Sequence, residues 1–205
     1  MTTTGGACAF AAPQQPLSAH RVAEAGLGHL STVLGEHCEN LTGTYDAPTS
    51  IEMVEADDSG RRRDRFFANC STLLGEDGRM TLQAITISDQ KVDRAKRRDA
   101  FNRDLALPVG WWPSVNATVN SLTRAIDPKP VDLEEIGLDY AATLSKWRNS
   151  VQERYDGVVE LGFDEGFVWL RDTYLSRCRA AFLERRISDV PLILHEPLAS
   201  ATPRG

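Results

Sequence analysis

Apolar residues recur along this chain at two spacings, one helical and one extended. Residues 64–74 place Phe66, Phe67, Cys70, Leu73 and Leu74 on one face, which predicts a half-buried helix. Residues 79–87, RMTLQAITI, alternate and are rich in β-branched side chains, which predicts a strand. Two longer stripes follow. Tyr140, Leu144, Trp147, Val151, Tyr155 and Val158 come at steps of 4, 3, 4, 4 and 3, and Phe167, Leu170, Tyr174, Cys178 and Phe182 at steps of 3, 4, 4 and 4. Each predicts one long amphipathic helix. A helical pattern over 17–26 stops at Gly26, as helices often do at glycine. Strand-like runs lie at 30–34, 45–53, 130–136 and 190–195, helical stretches at 91–103 and 114–125, and a rigid aromatic loop at 108–113. Pro48 weakens the run at 45–53, because proline donates no ladder bond. Strands alternating with helices predict an α/β layer fold with a mainly parallel sheet, which binds ligands beyond the carboxyl ends of its strands.

Composition narrows the class. The 205 residues are 41% apolar and 25% charged, close to ordinary globular usage, so wholesale disorder is excluded. No run approaches the roughly 18 apolar residues of a membrane span. Acidic side chains outnumber basic ones, 29 to 23, for a net charge of −6, which argues against a general nucleic-acid binder. Cys8, Cys38, Cys70 and Cys178 form no C-x-x-C pair and read as reduced thiols of a cytoplasmic protein. The histidines His20, His29, His37 and His195 have no ligand spacing, so no metal site is expected. Residues 1–16 lack the basic start and apolar core of a secretory signal.

Candidate chemistry gathers at strand ends. Glu52 and Glu55 close the run at 45–53, where a carboxylate can act as a base; a solvated loop glutamate is the plainer account. Gln83 interrupts an apolar strand, and a buried amide there must find partners. Tyr140 opens a helix, and a tyrosine on an apolar stripe serves the core more often than chemistry. Arg61-Arg62-Arg63 and the basic stretch at 91–103 could meet anionic lipid head groups at a membrane surface, although interspersed acidic residues also fit a solvated face.

Six strings occur together in order: AGLGHLSTVL (25–34), GTYDAPTSIEMVEA (43–56), RFFANCSTLLGEDGRMTLQAITISDQ (65–90), LPVGWWPS (107–114), IGLDYAATLSKWR (136–148) and GFDEGFVWLRDTYLSRCRAAF (162–182). As a set they resemble the cyclopropane-fatty-acyl-phospholipid synthases and the related mycolic-acid and fatty-acid methyltransferases. The resemblance implies the Rossmann-like sheet of class I S-adenosylmethionine-dependent methyltransferases. It implies transfer of a one-carbon unit from S-adenosylmethionine to the cis double bond of an unsaturated phospholipid or fatty-acyl chain. The alkene attacks the sulfonium methyl, and the resulting carbocation loses a proton to a base, which in the family is a bound bicarbonate ion. By position, Glu55 matches the carboxylate that orients bicarbonate, Gln83 a site that is His or Gln in the family, Ile85 a backbone contact and Tyr140 the hydroxyl. Glu36 and His37 fall near the acid–aromatic pair of the adenine pocket.

The resemblance runs over about 17–197, with a helical lipid-side insertion at about 91–128, a flexible non-matching stretch at 1–16 and a tail at 198–205. The family's Gly-rich loop, D-x-G-C-G-x-G, is absent from these residues. The expectation is therefore an incomplete, N-terminally truncated sheet, lacking its first two strands and that loop. Cofactor binding by this chain alone is then not expected, and a partner chain could supply the missing half. Two readings follow: a fatty-acyl methyltransferase, or a non-catalytic remnant that binds lipid or protein.

Overall fold

The computed structural model describes residues 5–8, 14–34, 40–56, 60–75, 78–92, 112–125 and 129–195. They fall into two compact units, 1–44 and 45–205.

The first unit holds strand β1 (Gly5–Cys8), helix α1 (Gln14–Glu24) and strand β2 (Ser31–Leu34). β1 and β2 pair in parallel, Gly5 opposite Ser31. Gly26 ends α1 in the left-handed conformation, φ +69°. Its N–H donates to Ala23 O and that of Leu27 to Val22 O, the paired bonds of a Schellman cap. A strand at Gly5–Cys8 departs from the sequence pattern, which predicts no element ahead of residue 17. GGAC has neither alternation nor β-branched side chains; its pairing with β2 supplies what local sequence does not.

The second unit carries strands β3 (Thr49–Ile51), β4 (Arg79–Ile87), β5 (Lys129–Leu133) and β6 (Ile187–His195). Its helices are α2 (Gly60–Leu73), α3 (Val115–Ala125), α4 (Gly137–Glu153), α5 (Tyr155–Glu160) and α6 (Glu165–Leu183). The sheet order is β3-β4-β6-β5. β4 alternates as its sequence predicts: Met80, Leu82, Ala84 and Thr86 are buried, and Thr81, Gln83, Ile85 and Ile87 half-buried. One face packs Met80, Leu82, Ala84, Leu192 and Leu194 against Phe67 and Cys70 of α2 and Leu122 of α3. The other packs Ile187 and Ile85 against Ala141 and Leu144 of α4 and Leu175 and Phe182 of α6. Each fully buried Leu, Ile, Met or Phe among them contributes about 1.5–3 kcal/mol by leaving water. Gln83 and Ile85 therefore face the α4–α6 layer.

Three expectations change. The four-stranded sheet is not mainly parallel: β3–β4 is parallel, while β4–β6 and β6–β5 are antiparallel. β6 enters between β4 and β5, a placement that chain order does not reveal. The run at 45–53 yields only Thr49–Ile51, consistent with Pro48 just ahead of it. The first long stripe is two helices, α4 and α5, broken at Arg154. Among the stripe residues only Leu144 is buried, and Trp147 is half exposed, so packing does not hold one straight rod. By contrast α6 forms over nearly the predicted span, with the Asp164 carboxylate accepting from Phe167 N–H at 2.8 Å as its N-cap, a strongly preferred capping residue. The helical stretch at 93–103 and the loop at 108–111 lie outside the described residues.

Candidate active site at the carboxyl ends of β3 and β4

β3 and β4 run in parallel, and the chain leaves β3 at Glu52. That residue holds φ +50°, a left-handed conformation that costs a non-glycine residue about 1–2 kcal/mol. Its N–H donates to Gln83 O at 2.9 Å, fixing the exit against β4. Such strain persists where the surroundings over-determine it, and it clusters at functional sites. The chain then turns through a short 3-10 helix, Val54–Ala56, which sinks Glu55 to 2% exposure.

Three side-chain contacts build the site. Tyr140, in the first turn of α4, donates its hydroxyl to the Glu52 carboxylate at 2.7 Å. Its ring packs on Phe182 at 4.9 Å and edge-on to Trp147 at 6.2 Å. Glu55 Oε1 accepts the Ile85 N–H at 2.5 Å, while Oε2 has no partner among the described residues. Gln83 Nε2 donates to Asp189 Oδ2 at 2.7 Å. Asp189 is fully buried on β6, directly opposite Ile85, and its Oδ1 also has no partner among the described residues.

Burial sets the electrostatics. It pushes the Glu55 carboxyl from the ordinary 4.5 up to about 7; backbone N–H bonds act against this, and the charges of Glu52 and Asp189 add to it. Burial likewise raises Asp189 from 3.8 to about 6, with the Gln83 bond acting the other way. Tyr140 is pushed well above the usual phenol range, first by burial and then by its bond to Glu52, so it keeps its proton. A carboxyl poised near neutrality can take or hold a proton during turnover.

The structure thus brings Glu55, Gln83, Ile85 and Tyr140 together. Glu36 and His37 lie outside the described residues. Asp189 escapes sequence reasoning, although an acid inside the apolar run ISDVPLILH is a signal for it. In sequence Glu52 is only a strand-end carboxylate; its hold on Tyr140 has no sequence signal. Among the described residues no group of three or more His, Cys, Asp or Glu is arranged to hold a metal.

Bicarbonate finds few free donors among these described residues. The Tyr140 hydroxyl donates to Glu52 and the Ile85 N–H to Glu55, while Gln83 gives a hydrogen to Asp189. An added anion would meet the carboxyl groups of Glu52, Glu55 and Asp189, with the Tyr140 hydroxyl and the Ile85 N–H engaged and one Gln83 N–H left over. For S-adenosylmethionine, these 205 residues carry no D-x-G-C-G-x-G run, and no described residue is assigned to hold it.

Comparison with known proteins adds the following. The family model described as mycolic acid cyclopropane synthetase matches residues 7–191. The tuberculostearic acid methyltransferase UfaA1 of Mycobacterium tuberculosis (strain ATCC 25618 / H37Rv) is 32% identical over 169 residues, 82% of this chain and 39% of that protein. The chain thus spans well under half of that relative's length. The cyclopropane synthase MmaA2 from Mycobacterium tuberculosis superposes with a TM-score of 0.84 at 20% identity, covering 94% of this chain and 70% of that one. The mycolic acid cyclopropane synthase CmaA1, solved with SAH and CTAB, gives 0.83 at 20% identity with the same coverage. These superpositions establish the α/β fold of such methyltransferases for the chain.

Proposed function

The chain belongs to the mycolic acid cyclopropane synthetase family, and from that premise we propose that it takes part in S-adenosylmethionine-dependent one-carbon transfer to the double bond of an unsaturated lipid acyl chain. The observation that carries this reading is the meeting of Glu55, Gln83, Ile85 and Tyr140 at one place in the second unit. S-adenosylmethionine would supply the one-carbon unit. The second unit's own side chains answer the other half of the problem, the cation left on the acyl chain.

Carboxylates and aromatic faces suit a developing positive charge in a dry site, where preorganised dipoles act most strongly. Glu52 and Glu55 provide the carboxylates, and Tyr140, Trp147 and Phe182 the rings. With few donors free for bicarbonate, this reading gives proton removal to the Glu52–Glu55 pair. Glu55 offers an unpartnered oxygen and a pKa near neutrality. Tyr140 keeps Glu52 in place through its hydroxyl. Lipid contact would take place at the periphery of a membrane; no described helix is long and apolar enough to cross one.

The test is co-expression with a chain that carries the family's D-x-G-C-G-x-G loop, in a bacterium rich in unsaturated phospholipids and without a cyclopropane synthase of its own, fed methionine deuterated at its methyl carbon. Lipid mass spectrometry is expected to find labelled acyl chains one carbon heavier, with the label lost in Glu55→Gln. Unlabelled acyl chains in cells that accumulate folded protein would sink the proposal.

A further inference from the structure

Two of the side chains placed in the site, Tyr140 and Gln83, are each held by a carboxyl group from elsewhere in the chain. For Tyr140 that group is Glu52, already placed in the site. For Gln83 it is Asp189, 106 residues further on. The contact runs diagonally across an antiparallel pair, since Gln83 faces Pro191 in the register and Ile85 faces Asp189. Pro191 brings no N–H to this ladder. Its carbonyl accepts from Glu134 N–H on the other side, so the β4–β6 bonds are not interrupted there.

Asp189 lies within a nine-residue strand whose apolar side chains fill both faces of the sheet. A carboxyl with an unsatisfied, fully buried oxygen is costly in that place. An apolar residue at 189 would remove the cost, so the cost points to a task. The chemistry of the pair defines it. An ionised carboxylate only accepts hydrogen bonds, whereas an amide has a donating and an accepting end. Asp189 Oδ2 therefore takes the nitrogen end of Gln83, and the amide oxygen is turned the other way.

We propose that Asp189 is a positioning residue, which holds the Gln83 amide by its nitrogen and so fixes the amide oxygen as the end presented to the site. This rests on reading Gln83 as a site residue. A fixed carbonyl dipole there favours a developing cation and disfavours an anion, in keeping with the neighbouring carboxyls. When Asp189 takes up a proton it can donate to the amide oxygen instead, and the amide is free to turn over. The groups facing the pair are Glu52, Glu55 and Tyr140.

The test is nuclear magnetic resonance of the 15N-labelled chain, with the Gln83 side-chain NH2 signals assigned by their loss in Gln83→Met. In the natural chain these signals are expected to titrate with a midpoint near that of Asp189, about 6. In Asp189→Asn the step with that midpoint is expected to vanish, leaving a smaller response to Glu55, while backbone signals persist. In the labelled-lipid assay Asp189→Asn should lower turnover roughly tenfold, a typical loss for a residue that acts through another. Combined with Gln83→Met it should add nothing further, as expected of residues acting as one unit. Gln83 signals indifferent to pH between 3 and 8, a range that also covers the ordinary aspartate value, would overturn the proposal, and that measurement needs no Asp189 variant to fold. If the titration is present but no labelled lipid is found, the proposed function fails and the Asp189–Gln83 contact stands.

Discussion

Replacing Glu55 with glutamine should stabilise the protein more at high pH than at low pH. Glu55 is 2% exposed, and burial raises its pKa from 4.5 to about 7. The sign follows from linkage: in the window between those values the unfolded chain releases this proton while the folded chain retains it. Folding then opposes ionisation, and stability falls as pH rises through the window. Below 4.5 both states are protonated and Glu55 contributes nothing. At pH 5 the penalty is about 0.8 kcal/mol, and by pH 8 it approaches about 3.4 kcal/mol, from roughly 1.36 kcal/mol per pKa unit. Glutamine keeps the acceptor for Ile85 N–H and has no proton to lose. It also leaves an amide where Oε2 has no partner, a cost of about 1–3 kcal/mol that does not depend on pH. The informative quantity is therefore the difference between two conditions. Urea unfolding at pH 5 and pH 8 should show the Glu55→Gln variant gaining about 2.5 kcal/mol on the natural chain between them. An equal mutational effect at both pH values, within about 0.5 kcal/mol, would refute the argument from burial.

Other outcomes can be checked alongside. Arg185 is exposed, has φ +50° and caps α6, with Arg185 N–H donating to Phe182 O and Arg186 N–H to Ala181 O. Arg185→Gly relieves about 1–2 kcal/mol of left-handed strain against about 0.5–1 kcal/mol of added unfolded-state freedom, so denaturant melting should show a net gain of about 0.5–1 kcal/mol. Phe67→Ala removes a ring that is 0% exposed, and the same measurement should show a loss of about 3–5 kcal/mol. Tyr140 should resist ionisation in an ultraviolet pH titration read against Tyr140→Phe. Glu52→Gln should lower its midpoint, but not to the ordinary phenol value, because burial is the larger cause.

Part of this arrangement is legible in the amino-acid sequence. Alternation in RMTLQAITI marks the strand that carries Gln83 and Ile85, because burial on one face leaves a period of two in the sequence. The stripe from Phe167 to Phe182, preceded by Asp164, marks α6 for the corresponding helical reason. The family resemblance nominates four residues that do meet. Sheet direction is hidden, because the insertion of β6 between β4 and β5 is a long-range choice. The β6 start is hidden for a related reason: Ser188 and Asp189 look like turn residues, and pairing with Thr86 and Ile85 overrides that preference. Glu52 carries no glycine to advertise its left-handed backbone. Asp189 acquires its meaning from a partner 106 positions away, beyond the reach of any local pattern.

The strand order also constrains how the protein is made. β6 is the last described strand to leave the ribosome, yet it sits inside the sheet, paired along nine positions with β4 and also with β5. Until residues 187–195 are synthesised, β4 has β3 as its only partner among the described strands and β5 has none. The nascent chain must carry two open ladders through the synthesis of three helices, when unpaired strands are prone to join the wrong chain. The same final strand brings Asp189 to Gln83. Sheet closure and completion of the polar site are therefore one late event, and a chain released before residue 187 would lack both together.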